Sequence, residues 1–127
     1  MDQESRVAAV LLRAVVRPGD TIFIWGYRPN LAVYTRLPVA SKFWDSQPLT
    51  GVPADRHLTD SRPVAAEWAR RNRLELAQSQ PSIVLDGLSA YNPRLDIHNY
   101  AELSSWLANY CVVLRARNIA IYRRCSR

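Results

Sequence analysis

Cysteine and glycine are scarce in this chain: two cysteines, Cys111 and Cys125, and four glycines among 127 residues. The cysteines lack the close spacing of a zinc or redox pair, so no metal site is expected. The glycines spell neither a Gly-x-Gly-x-x-Gly run nor a Walker loop, because Gly26 is followed by Tyr27, Arg28 and Pro29. Dinucleotide and P-loop chemistry are excluded, and no cofactor is expected. Lysine is nearly missing, with Lys42 beside 16 arginines; biased coding produces that excess as readily as selection for bidentate phosphate contacts. Long hydrophobic runs are missing too. The most apolar stretch, Val7 to Leu12, stops at Arg13, far short of the roughly 20 residues that a membrane crossing needs. The first residues, Met1, Asp2, Gln3 and Glu4, are acidic where a secretory leader is basic.

What is present fits one domain. Apolar residues make up 48% and charged residues 22%, which rules out a disordered or collagen-like chain. A domain near this size buries about two thirds of the surface its unfolded chain exposes and folds without a metal or several disulfides. The formal charge is +6. Its dense groups are Arg70, Arg71 and Arg73, then Arg115, Arg117, Arg123, Arg124 and Arg127. Neither stands beside a helix-turn-helix, zinc-finger or aromatic ribonucleoprotein pattern, so they read as solvated faces and a basic tail, with no nucleic-acid partner.

Punctuation along the chain predicts alternating helices and strands. Residues 3–16 place Val7, Val10, Leu11, Ala14 and Val15 at helical spacing before Pro18-Gly19-Asp20. Residues 21–25 form an apolar strand covered on both faces. Pro29 suits the first turn of a short helix that ends before Pro38, and a second strand falls near 39–43. Residues 44–60 read as a long loop. A helix over 62–78, capped by Ser61, turns Ala65, Trp68, Ala69 and Leu76 inward and sets Glu67 against Arg70 and Arg71. Residues 82–86 form another buried strand, and a loop then runs to His98. Asn99 and Glu102 form a capping-box pattern ahead of a helix with the stripe Tyr100, Leu103, Trp106, Leu107 and Tyr110. Residues 111–114 and 119–122 flank a polar turn as a terminal hairpin. The expected fold is therefore an α/β, three-layer α/β/α sandwich: a mostly parallel, Rossmann-like sheet of about five strands with an antiparallel C-terminal hairpin. In that hairpin Cys111 and Cys125 lie on opposite strands near the open end, which permits a disulfide in an oxidising compartment without requiring one.

Ligands of open α/β sheets settle beyond the carboxyl ends of the strands. That rule selects Trp25 to Pro29 and Asp86 to Tyr91, where an aromatic ring beside Arg or a carboxylate can stack on a sugar and bond its hydroxyls. The candidate ligand-binding residues are Trp25, Tyr27, Arg28, Thr50, Asp86, Tyr91 and Arg94. Against them stand structural readings: Trp25 packed on a helix, Gly26 and Gly87 serving turns, and Asp86 capping nearby amides. Asp55 and Asp60 flank His57 in a manner that imitates a metal site or acid pair, but spacing in a loop does not assign catalysis there. His98 reads as a helix entry, and neither histidine has a serine elbow or a reactive cysteine nearby.

The succession Arg17-Pro18-Gly19-Asp20-Thr21-Ile22-Phe23-Ile24-Trp25-Gly26, Arg36-Leu37-Pro38-Val39-Ala40, Leu49-Thr50-Gly51, Pro81-Ser82-Ile83-Val84-Leu85-Asp86, a Tyr-centred loop and a final Ile-Ala-Ile-Tyr-Arg-Arg strand carries a resemblance over nearly the whole chain. It is similar to the C-terminal soluble domain of bacterial polytopic glycosyltransferases of the dolichyl-phosphate-mannose protein mannosyltransferase-like class. The resemblance implies an extracytoplasmic, periplasmic domain that follows a bundle of transmembrane helices, in an enzyme that moves a sugar from a polyprenyl-phosphate donor to a glycan, lipid or protein acceptor. Residues 1–16 would then be the helix after the last crossing, with Met1 a cloning boundary. The catalytic acid of that class lies in the membrane part, so no catalytic residue is carried over to this chain. The implied partners are the transmembrane portion of the same polypeptide and a lipid-phosphate sugar or glycan acceptor. The rival readings are a freestanding cytoplasmic α/β enzyme or nucleotide-binding module, and an assembly module with an exposed apolar patch.

Overall fold

In the computed structural model the described residues are 2–28, 30–43, 45–54 and 57–125. The expectations placed on Met1, Pro29, Asp55 and Arg127 lie outside the described residues. The elements run α1 (Asp2–Leu12), β1 (Ile22–Trp25), α2 (Asn30–Thr35), α3 (Gln47–Thr50), α4 (Ala66–Leu76), β2 (Ile83–Asp86), three 3-10 turns (Pro93–Leu95, Ile97–Asn99, Ala101–Leu103), α5 (Ser104–Leu107), β3 (Tyr110–Ala116) and β4 (Ile119–Arg124).

The described strands make one sheet of four, in the order β1-β2-β4-β3. Only β1 and β2 are parallel, with Ile22 opposite Ile83 and Trp25 opposite Asp86. β4 lies antiparallel to β2, and β3 antiparallel to β4. This corrects the expected five-stranded, mostly parallel, Rossmann-like three-layer sandwich. The terminal hairpin is present, but it inserts its second strand beside β2. An apolar run such as Ile119 to Tyr122 reports cover on both faces and is silent about direction. The strand expected at 39–43 contributes a single parallel bridge, Ile22 to Val39. Pro38 and Ala40 still complete the backbone bonding of Ile22 there, through Ile22 N to Pro38 O and Ala40 N to Ile22 O, both 2.9 Å. The opposite edge, β3, is broken by an irregularity between Val112 and Leu114, a feature that discourages further strand pairing.

Alternation along the strands divides the core in two. On one face Ile22, Ile24, Ile83, Leu85, Ile119 and Ile121 pack against Ala8 and Leu12 of α1 and Leu31 and Ala32 of α2. On the other, Phe23, Trp25, Val84, Ala120 and Tyr122 pack against Leu76 of α4, Leu88, Leu95 and Ile97 of the irregular chain, and Trp106 of α5. Each large side chain fully buried this way contributes about 1.5–3 kcal/mol.

The second face departs most from expectation. The helix expected over 62–78 spans only Ala66–Leu76, and Trp68 is 51% exposed instead of inward. The helix expected after Asn99 is one 3-10 turn, Ala101–Leu103, running into a short α-helix, Ser104–Leu107. Asn99 does not cap it; its Nδ2 donates back to Pro93 O at 2.9 Å. In the expected loop before it, Asn92 and Asp96 each accept a backbone N–H two residues on, from Arg94 and His98, and set single 3-10 turns. Glu102 does not close a box with Asn99; it pairs with Arg73 at 2.9 Å. Cys111 and Cys125 form a disulfide with Cα atoms 5.3 Å apart, tying the open end of the hairpin.

Candidate functional site

Parallel pairing sends the chain out of β1 and β2 at the same end of the sheet, and backbone contacts stitch the loops there. Gly87 N donates to Trp25 O at 2.9 Å. Gly26 adopts φ +144°, which other residues rarely take; its N–H donates to Ser46 Oγ, and Ser46 N donates back to Gly26 O, both at 2.8 Å. The segment around Thr50 joins through Tyr27, whose hydroxyl donates to Val52 O and lies 2.6 Å from Thr50 Oγ1. The two segments selected from the sequence, and the α3 segment that holds Thr50, therefore meet at one end of the parallel pair, although their side chains do not share one surface.

Trp25 belongs to the core. It is fully buried, donates from Nε1 to Leu95 O at 3.0 Å, and meets the Tyr100 ring edge-on. Tyr27 is half-buried and stacked on the His57 ring with centroids 4.1 Å apart. Burial, with the Asp45 and Tyr100 charges, pushes its hydroxyl up to about 12 against the opposing bond to Thr50. Arg28 is 4% exposed and engaged internally. Its Nη2 lies 3.3 Å from Glu4 Oε1, its Nη1 3.4 Å from Ser5 Oγ, and its guanidinium sits over the Tyr91 ring at 5.0 Å. Tyr91 donates its hydroxyl to Glu4 Oε2 at 2.7 Å. Burial raises the pKa of Glu4, but bonds from Tyr91, Arg28 and Asn118 and the Arg28 charge outweigh it and hold the carboxyl below its ordinary value. Arg28 and Tyr91 thus fasten α1 to the loops after β1 and β2.

Arg94 and Thr50 line a recess of about 270 Å³ together with Arg73, Asn99, Tyr100 and Ser61. Arg73 is held there by Leu49 O at 2.8 Å and Glu102 at 2.9 Å, over the Tyr100 ring at 4.5 Å. Asp86 opens instead onto a cleft of about 240 Å³ between the 3-10 segment and the β3–β4 turn, where Ser89, Asp96, His98, Arg115, Arg117 and Tyr122 also converge. The segment Pro93–Asn99 stands between the two hollows, giving Asp96 and His98 to one and Arg94 and Asn99 to the other.

The cleft is built from below. Tyr122 and Asp86 sit on the same face of the sheet because Val84 pairs Tyr122 while Asp86 pairs Ala120. Asp86 Oδ1 accepts from Leu88 N and Ser89 N at 3.1 and 3.0 Å, and Oδ2 accepts the Ser89 hydroxyl. The capping role therefore holds for Asp86 as well, and the turn fixes its carboxylate in place. Asp96 Oδ1 takes both His98 N and His98 Nδ1, at 2.9 and 2.8 Å. A carboxylate at Nδ1 favours a proton there, which leaves Nε2 as the acceptor of a neutral ring. Burial, then the Asp86 and Asp96 charges, raise the Tyr122 hydroxyl against a bond and charge from Arg115, so the phenol stays protonated and donating at neutral pH. The set can accept hydroxyl protons at two carboxylates and offer guanidinium and phenol donors to an anion. The Ser89 hydroxyl donates to Asp86 Oδ2 and accepts from Ile97 N at 3.3 Å, which ties the Asp86 turn to the 3-10 segment.

Of the seven candidate ligand-binding residues Asp86 alone lies in this cleft, joined by Ser89 and Ala90 of the segment selected after β2. Asp96, His98, Arg115 and Tyr122 were not selected. The register of β4 against β2, needed to see Tyr122 beside Asp86, is not written in the local pattern; the Asp96-x-His98 spacing was the one local signal. Among the described residues, no group of three His, Cys, Asp or Glu could hold a metal ion, and no helix is long and apolar enough to cross a membrane. Among the described residues of the clusters, Arg70 and Arg71 reach Glu67 at 3.6 and 3.7 Å, Arg73 reaches Glu102 and Arg123 reaches Asp20, both at 2.9 Å. Comparison with protein-family models, with curated proteins and with solved structures gives no match to this chain.

Proposed function

We propose that this chain is an accessory, non-catalytic domain of a membrane glycosyltransferase that uses a polyprenyl-phosphate-linked sugar, and that its polar cleft helps seat a donor headgroup or an acceptor glycan. The observation that carries the reading is the cleft itself, where Asp86, Asp96, Arg115 and Tyr122 bring hydroxyl acceptors and anion donors around about 240 Å³, room for one sugar ring and a phosphate. The sequence resemblance supplies the class of enzyme, the extracytoplasmic side of the bacterial inner membrane, and the transmembrane portion of the same polypeptide as partner. The Cys111–Cys125 bond supports an oxidising compartment.

Calorimetric titration with monosaccharides, sugar 1-phosphates and short-chain polyprenyl phosphates, on the wild type and on Arg115→Gln and Asp86→Asn, tests the reading. Binding of a sugar phosphate that weakens about tenfold in each variant is expected, the ordinary worth of a hydrogen bond to a charged group. Heat from nucleotides alone, or sugar-phosphate binding unchanged in both variants, would remove it.

A further inference from the structure

The outward side of α1 and α2 carries an unusual surface for a helix pair. α1 turns Ala8, Ala9 and Leu12 inward, yet it also leaves Val10 61% exposed, and across the groove on α2 Val33 is 70% exposed. Arg6, Arg13 and Arg36 rim the same hollow of about 440 Å³, with Arg6 over the Tyr34 ring at 5.2 Å. None of the described residues lining it is acidic. Arg36 holds its place on the rim in a left-handed backbone conformation, φ +59°, an arrangement that non-glycine residues seldom adopt.

We propose that this α1–α2 face docks on the surface of an anionic lipid bilayer. Aliphatic side chains standing among arginines suit that occupant best: the guanidinium groups sit at lipid phosphates while Val10 and Val33 enter the boundary below them. Among the described lining residues a nucleic-acid strand would find only the Tyr34 ring to stack on, and Arg6 already covers it. An acidic peptide would leave both valines against water or polar atoms. The same helix is anchored at its first turn by Glu4 to Arg28 and Tyr91, so a docked α1 carries the loops after β1 and β2 at a fixed position beside the lipid. The inference deepens the membrane-proximal reading above by naming the face that meets the bilayer.

Co-sedimentation with vesicles tests it, using phosphatidylcholine alone and phosphatidylcholine mixed with phosphatidylglycerol in equal parts, with no sugar present. The wild type is expected to bind only the anionic vesicles and to be released by salt. Each arginine near such a surface is worth about fivefold in binding, so Arg13→Gln/Arg36→Gln is expected to weaken it about thirtyfold. Val10→Ser/Val33→Ser is expected to weaken it while leaving the salt dependence in place. Equal binding to neutral vesicles, undiminished binding of the arginine variant, or binding to a single-stranded oligonucleotide or polyglutamate in place of vesicles would each overturn the proposal. The readout is lipid charge alone, so failure here leaves the sugar-phosphate cleft standing, and failure of the cleft leaves this face standing.

Discussion

Replacing Arg28 with methionine isolates the contact that joins α1 to the functional end of the sheet. Methionine keeps an unbranched stem beside Gly87, where the Arg28 Cδ now packs, and removes only the guanidinium. Glu4 then keeps the Tyr91 hydroxyl at 2.7 Å but loses its cationic partner while remaining largely buried. Removing one partner of a buried pair costs about 3–5 kcal/mol. Tyr91 still satisfies one carboxylate oxygen, so the lower end, about 3 kcal/mol, is expected, and a chain of this size loses about 4 °C per kcal/mol, or roughly 12 °C in Tm. Chemical denaturation of wild type, Arg28→Met, Glu4→Gln and the double variant measures it. The double variant should recover more than about 1 kcal/mol relative to the sum of the singles, because the amide has no charge to strand. The pH dependence supplies an internal control. In the wild type, Glu4 titrates below its ordinary value, so its contribution is complete above the unfolded carboxyl pKa and is lost as pH falls through the folded one. In Arg28→Met that contribution shrinks, and the gap to wild type narrows in acid. A cost below about 1 kcal/mol, or strictly additive variants, would show that the pair is not a structural tie.

Three further outcomes are expected. Cys111→Ala/Cys125→Ala should lower stability by about 3 kcal/mol, the loop-closure worth of a bridge over a loop of this length, and reductant should lower the wild-type Tm while leaving the variant alone; a wild type indifferent to reductant refutes it. Tyr27 and Tyr110 have hydroxyls pushed up to about 12, first by burial. The unfolded chain therefore releases those protons first, near pH 10, and stability should be full below that pH and decline between about 10 and 12; Tyr27→Phe and Tyr110→Phe should flatten the decline, and an unchanged slope contradicts the assignment. Trp25→Phe should cost about 1–3 kcal/mol by stranding the Leu95 carbonyl while leaving ligand affinity untouched; a selective loss of affinity would return Trp25 to the site.

The strands around 22–25 and 83–86 and the hairpin were legible because short apolar runs between turn residues mark buried strands whatever their neighbours. Direction was not legible: Ile119 to Ile121 would look the same in a parallel or an antiparallel position, and only the docking of the hairpin against β2 decides it. The helix read after Asn99 is cut to Ala101–Leu107, and its expected capping box does not close: Asn99 bonds the Pro93 carbonyl and Glu102 pairs with Arg73, long-range and backward contacts that the periodic stripe does not report. At the site, the convergence of loops followed from parallel β1–β2 pairing and was accessible from the sequence rule. Which side chains stay free was not accessible, since it depends on partners far along the chain: Glu4 claims Arg28 and Tyr91, and Leu95 claims Trp25.

Amide chemical-shift mapping during titration with a sugar 1-phosphate tests the central claim most directly. Shifts confined to residues 86–91, 96–98 and 115–122, saturating with one ligand, are predicted. Shifts clustered instead around Arg94, Arg73 and Thr50, spread evenly over the basic surface, or missing altogether would contradict the assignment of the cleft as the ligand seat.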